Sequence, residues 1–104
     1  MAALPTVADA PARERFELSL DGEVVGFTTY HRTPRALALS HTEVDPAHEG
    51  EGLASQLIAG ALDAARAEGL AVLPFCPFVR RFIEEHREYL DLVPAQRRAE
   101  FKLD

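Results

Sequence analysis

Cysteine is almost absent from this chain of 104 residues: Cys76 is the only one. A single thiol excludes an intrachain disulfide framework and a multi-cysteine zinc site. It points to a reducing, cytoplasmic setting. Long apolar runs are lacking too. None approaches the roughly 20 residues that a membrane-spanning helix needs, so no membrane partner is expected. The opening stretch MAALPTVADAPA has no basic start followed by an apolar run, so it does not read as a secretory signal. It is expected to be a flexible tail over 1–12, with one domain over 13–104. Basic charge is also scarce. Eleven Lys and Arg stand against 17 Asp and Glu, for a formal charge of −6, and the arginines are scattered among acids. That excludes the basic face through which nucleic-acid phosphates are bound. It favours cationic partners such as amines.

Apolar residues make up 47% of the chain, enough for one core. "FELSL" (16–20) alternates apolar and polar positions, the period of a strand. Asp21-Gly22 follows, a pair that accepts positive φ and makes a tight hairpin. "EVVGFTTY" (23–30) returns as a second strand, and "ALALSHTEV" (36–44) is a third. From Gly52 to Glu68 the apolar positions shift to helical spacing, and Gly69 ends that helix. "LAVLPF" (70–75) is a short fourth strand. Pro77, at its favoured first helical position, opens a second helix whose buried stripe is Phe78, Val79, Phe82 and Ile83. The expected fold is α/β (α+β). An antiparallel meander leads into a strand–helix–strand unit with parallel strands, and helices pack on the mixed sheet. The charged tail "AQRRAEFKLD" is weakly specified.

One segment carries chemistry. Residues 49–54, Glu-Gly-Glu-Gly-Leu-Ala, join the third strand to the first helix. Amides at a helix N-terminus have no intrahelical partner, and the helix dipole adds partial positive charge there. Gly50 and Gly52 let the backbone turn and approach a ligand. A pyrophosphate suits such a site. The side chains of Glu49 and Glu51 repel an anion unless they point to water. On spacing alone, a glycine loop that merely starts a helix is an equal alternative. A triphosphate loop is disfavoured, because no Lys-Ser/Thr pair follows the glycines.

In this stretch the sequence resembles the GNAT superfamily of acetyl-CoA-dependent N-acetyltransferases. Its signature, Gln/Arg-x-x-Gly-x-Gly/Ala between a strand and a helix, falls on Glu49, Gly50, Glu51, Gly52, Leu53 and Ala54, with Glu49 departing from the usual Gln or Arg. The "HTEV" strand end, the glycine turn and "PFCPFV" (74–79) resemble a minimal, truncated subgroup. The resemblance implies acetyl-CoA (or CoA) as the ligand, lying where the third and fourth strands splay apart. Its pantetheine arm would pair near Val44, and its pyrophosphate would sit on the amides of Gly50 to Ser55, with His48 at the mouth. It implies N-acetyl transfer to an amine of a small molecule or protein. The alternative is a CoA-binding sensor or regulatory module without catalysis.

Acetyl transfer needs a neutral amine, a polarised carbonyl and a proton for the departing thiolate. His41 and Glu43, two apart on a strand, share one face, and alternation puts them on the face of Leu37 and Leu39. They are the candidate proton acceptors, or else a structural histidine and a rim carboxylate. Cys76, at the N-cap of the second helix, is the candidate near the thioester, since a helix N-terminus stabilises a thiolate. The alternative is an inert buried thiol. Tyr89 reaches the site only if the chain folds back.

Overall fold

The computed structural model describes residues 4–48 and 50–103. Asp21 and Gly22 both take positive φ, 53° and 79°. They close a hairpin between β2 (Arg15–Leu20) and β3 (Glu23–Arg32). β3 continues antiparallel into β4 (Ala36–Val44), which pairs in parallel with β5 (Ala71–Pro74). The connection between β4 and β5 contains helix α1 (Leu53–Glu68), and α2 (Pro77–Glu85) follows β5. The expected meander, crossover and mixed sheet are all present.

The N-terminal segment departs from expectation. Thr6–Ala10 is not a loose tail but a strand, β1, antiparallel to β2, so the sheet has five strands in the order β1-β2-β3-β4-β5. Two contacts hold this Ala/Pro-rich piece. The Tyr30 hydroxyl donates to Asp9 at 2.6 Å, and Arg32 bridges Asp9 and Glu68. Gly60 of α1 leaves room for Val7: a Cβ there would stand 2.8 Å from the Val7 Cβ. The strand docks by tertiary contacts that its own composition does not announce.

A second departure bears on function. In the β3–β4 register Thr29 faces His41, but Tyr30 faces Leu39. Ser40 is therefore an extra residue, a β-bulge, and side-chain alternation inverts across it. Leu37 and Leu39 are buried beneath the helices. Beyond the bulge it is Thr42 and Val44 that take this inner face, with the Thr42 hydroxyl 3.0 Å from that of buried Thr28. His41 and Glu43 share one face, as expected, but it is the outer one, opposite Leu37 and Leu39.

Helix α1 buries Leu53, Leu57, Ile58, Ala61, Leu62 and Ala65 against the sheet. Each fully buried Leu or Ile there contributes about 1.5–3 kcal/mol, an upper bound against a compact denatured chain. Helix α2 buries Val79, Phe82 and Ile83. Phe78, expected in that stripe, is only half-buried. The charged C-terminal segment is anchored rather than loose. It forms two short 3-10 turns, with Phe101 and Leu103 in the core and the Phe101 ring edge-on to Phe75.

Candidate active site

The glycine turn has the geometry that an anion site requires. Gly50 and Gly52 sit at φ 81° and 74°. The first bond of the helical ladder runs from the Gln56 N–H to the Gly52 carbonyl at 3.3 Å, so the N–H groups of Leu53, Ala54 and Ser55 precede it, and among the described residues no side chain caps the helix. These donors point out of a 16-residue helix, where the dipole places partial positive charge. Glu51 is exposed and turned toward His48, whose Nδ1 is 3.3 Å from its carboxylate. Glu49, matched to the first signature position, lies outside the described residues.

A cleft of about 370 Å³ opens over these amides. Gly50, Gly52, Leu53, Ala54 and Ser55 of the turn and helix start line it, together with His48, Thr42, Val44 and Phe78. The cleft exists because β4 outlasts its partner. β5 pairs with β4 only from Ala36 to Leu39. The Cys76 N–H makes a last bond to the Leu39 carbonyl at 2.9 Å, and the chain then turns into α2. Among the described residues, the β5-side edge of β4 beyond Leu39 has no strand partner. An edge of unpaired N–H and C=O groups accepts an extended, amide-bearing chain as an added strand.

Cys76 is the N-cap residue of α2, as the sequence indicates, with φ −74° and ψ 126°. Its side chain makes no capping bond. It is 5% exposed, and its Sγ lies 3.5 Å from the Thr42 hydroxyl, behind the cleft wall rather than on its surface. His41 and Glu43 are exposed on the other side of β4, their Nε2 and Oε2 atoms 3.2 Å apart, with the His41 ring 6.3 Å from that of Phe27. So the strand separates two sets of candidates. The cleft gathers Val44, His48, Gly50, Gly52, Leu53, Ala54 and Ser55, with Glu51 against His48 and Cys76 behind Thr42. The proton acceptors look out from the opposite face. Thr42 and Phe78 are cleft residues that alternation and helical spacing assign to other roles.

Both tyrosines are committed elsewhere. Tyr89 donates to Asp63 at 2.8 Å. Burial, and then that carboxylate, push its hydroxyl up to about 12. Asp63 lies ten residues into α1 from Leu53, about 15 Å along the axis. Tyr30 is likewise raised, first by burial and then by Asp9. Among the described residues no group of three or more His, Cys, Asp or Glu side chains is placed to hold a metal. No helix among them is long and apolar enough to cross a membrane.

The arrangement can be set beside known proteins. Several solved structures share the fold, and two serve for comparison. One is Ard1 from Thermoplasma volcanium, 21% identical with a TM-score of 0.51, aligned over 57% of this chain and 41% of that one. The other is ribosomal-protein-alanine N-acetyltransferase from Brucella melitensis biovar Abortus 2308, 24% identical with a TM-score of 0.51, aligned over 78% of this chain and 63% of that one. The matched part is thus less than two thirds of either protein. No curated protein sequence matches at a significant level. The sequence profile described as GCN5-related N-acetyl-transferase matches residues 15–92, which takes in β2 through α2 and the whole cleft. By that match, about three quarters of its length, the chain belongs to the GCN5-related N-acetyltransferase family.

Proposed function

We propose that the protein binds acetyl-CoA in the cleft and transfers its acetyl group to an amine. The observation that carries this reading is the coincidence, in one cleft, of uncapped helix amides and an unpaired strand edge. The donor set fits the ligand: the amides of Gly50 to Ser55 suit a pyrophosphate. Each bond to a charged oxygen contributes about 1.5–3 kcal/mol. The free edge of β4 suits an arm that carries amides of its own.

The chain's residues then divide the proton chemistry. The amine nitrogen must be neutral to attack the thioester carbon, and the carbon–sulfur bond breaks as the new carbon–nitrogen bond forms. His41, paired with Glu43 on the outer side of β4, can take the ammonium proton only of an amine that approaches from that side, before the amine reaches the thioester. The departing thiolate takes a proton from solvent or from Cys76 beside Thr42. His41→Ala and Glu43→Gln are expected to lower turnover while leaving CoA affinity nearly unchanged. If both keep wild-type turnover across the pH range where the acceptor deprotonates, solvent is the base. Cys76→Ala decides the thiol's part in the same way. If Cys76 is reactive, iodoacetamide modifies it rapidly and CoA protects it. If it is structural, alkylation is slow and the alanine variant keeps its activity.

The deciding experiment measures two things on the full chain. CoA should raise the melting temperature, and acetyl-CoA with pooled amines should release free thiol. A second reading, a CoA-binding module without catalysis, is favoured by the engagement of both tyrosine hydroxyls away from the cleft, since many family members use a tyrosine as general acid. A melting shift without thiol release would select it. Absence of both would remove the two readings together.

A further inference from the structure

We propose that the acceptor amine is carried by a basic polypeptide segment that docks on the face of the sheet opposite the helices. This rests on the acetyltransferase reading above. A groove of about 410 Å³ opens on that face, between the start of β3 and the end of β4. Val24, Phe27, Glu43 and Asp45 border it, and Val44 borders both this groove and the cleft. A single strand thus divides the proposed donor site from the groove.

The charge of the groove selects its guest. Glu43 pairs only with His41 among the described residues, and Asp45 has no ion partner among them. Asp45 instead caps the following turn through the Ala47 N–H at 3.0 Å. The one cation lining the groove, Arg15, is held by Glu17 at 2.8 Å. The rim therefore offers negative charge that the chain does not neutralise. The Arg15 guanidinium, 4.4 Å from the centre of the Phe27 ring, covers that ring from within the chain, so the carboxylates of the rim are what is left for a cationic guest.

The openness of the face decides between a small amine and a polypeptide. Along β2, β3 and β4 none of the side chains at Arg15, Glu17, Val24, Phe27, His41 and Glu43 is buried, and Val24 is 43% exposed. Sites for small molecules enclose most of the ligand's surface. Here enclosure is missing, so contact area must come from the length of the guest. A chain with lysines or arginines flanking the reactive amine supplies it, and the net charge of −6 draws it in.

The test is fluorescence anisotropy of the full-length protein with a short labelled peptide of alternating lysine and alanine, against the same peptide with glutamate for lysine. The basic peptide should bind and the acidic one should not. The double variant Val24→Lys, Asp45→Asn keeps the turn's oxygen acceptor and alters two exposed positions. It should weaken binding about tenfold at low salt, a few-fold for each charge change. The difference should shrink at about 0.3 M salt. The KM for the peptide should rise by the same factor, with kcat and the CoA melting shift unchanged. Val24→Lys alone, checked by melting, guards against a folding defect in the double variant. Equal binding by wild type and variant, binding of the acidic peptide, no binding of the basic one, or butylamine acetylated as efficiently as the peptide would each overturn the proposal. Peptide binding that is charge-dependent but without acetyl transfer would uphold the surface and remove the transferase reading.

Discussion

The two ends of α1 carry the same signal and finish in opposite ways. Each has a glycine in the left-handed region, Gly52 at φ 74° and Gly69 at φ 71°. At the C-terminal end the chain consumes its own orphan groups. The Gly69 N–H bonds to the Arg66 carbonyl at 3.1 Å, the Leu70 N–H closes on the Ala65 carbonyl at 2.9 Å, and Leu70 is buried. At the N-terminal end no side chain among the described residues caps the helix, and a cleft lies over the amides. A glycine at a helix end is therefore not in itself a ligand site. The distinction lies in whether the chain satisfies the backbone groups that the glycine exposes.

The comparison breaks most visibly at the glycines themselves. A Cβ at either position meets nothing within 4 Å, so substitution acts through the left-handed backbone rather than through a clash. Gly52→Val is expected to abolish the CoA-induced rise in melting temperature, because the amides lose their arrangement. The backbone strain costs about 1–2 kcal/mol of stability. Gly69→Val should cost a similar amount in denaturant unfolding and leave the CoA shift intact. If both variants lose the shift, or both keep it, the two ends do not differ as described.

A smaller effect is expected at the middle of the helix. Gly60→Ala gains about 1 kcal/mol of helix propensity. It forces a Cβ to within 2.8 Å of Val7, and overpacking of this kind costs about 1–3 kcal/mol. The net should be a loss of about 1 kcal/mol, read in urea unfolding, with β1 amides exchanging faster and CoA binding unchanged. A stabilised variant would mean that the fit of Val7 against α1 contributes little to holding β1, beside its ladder with β2 and the contacts of Asp9.

The smallest effect is in pH. The Tyr89 hydroxyl titrates at about 12 in the folded chain, above its ordinary value near 10. The unfolded chain therefore loses this proton first. The contact's contribution is fully present below about pH 10 and is lost as pH rises through about 12. Tyr89→Phe should flatten the fall in melting temperature over that window, relative to wild type. An unchanged slope would place the sensitivity elsewhere.

Much of the fold is legible in the residues because the signals are local. The Asp21-Gly22 hairpin, the switch from a period of two to helical spacing after Gly52, and Pro77 after a capping position each depend only on neighbours in the chain. The glycine turn is legible as a site for the same reason: its donors belong to the backbone, whatever the side chains are. The faces of β4 are not. Alternation carries His41 onto the side of Leu39, and the bulge at Ser40 moves it to the other. That extra residue is fixed by pairing with β3. Thr42 and Phe78 come to the cleft by non-local routes, Thr42 through the bulge and Phe78 through the packing of α2 beside the end of β4.

The sequence by itself determined the order of strands and helices from Phe16 to α2, the left-handed glycines at both ends of α1 and the placement of Cys76 at the start of α2, because short-range sterics and capping decide these. Tertiary structure alone decided that Thr6–Ala10 is a strand, that Phe101 and Leu103 are core, and that His41 and Glu43 stand on the far side of the strand from the cleft. An edge strand, a docked tail and a β-bulge draw their stability from partners far along the chain, and a composition or a period read in one segment contains none of those partners.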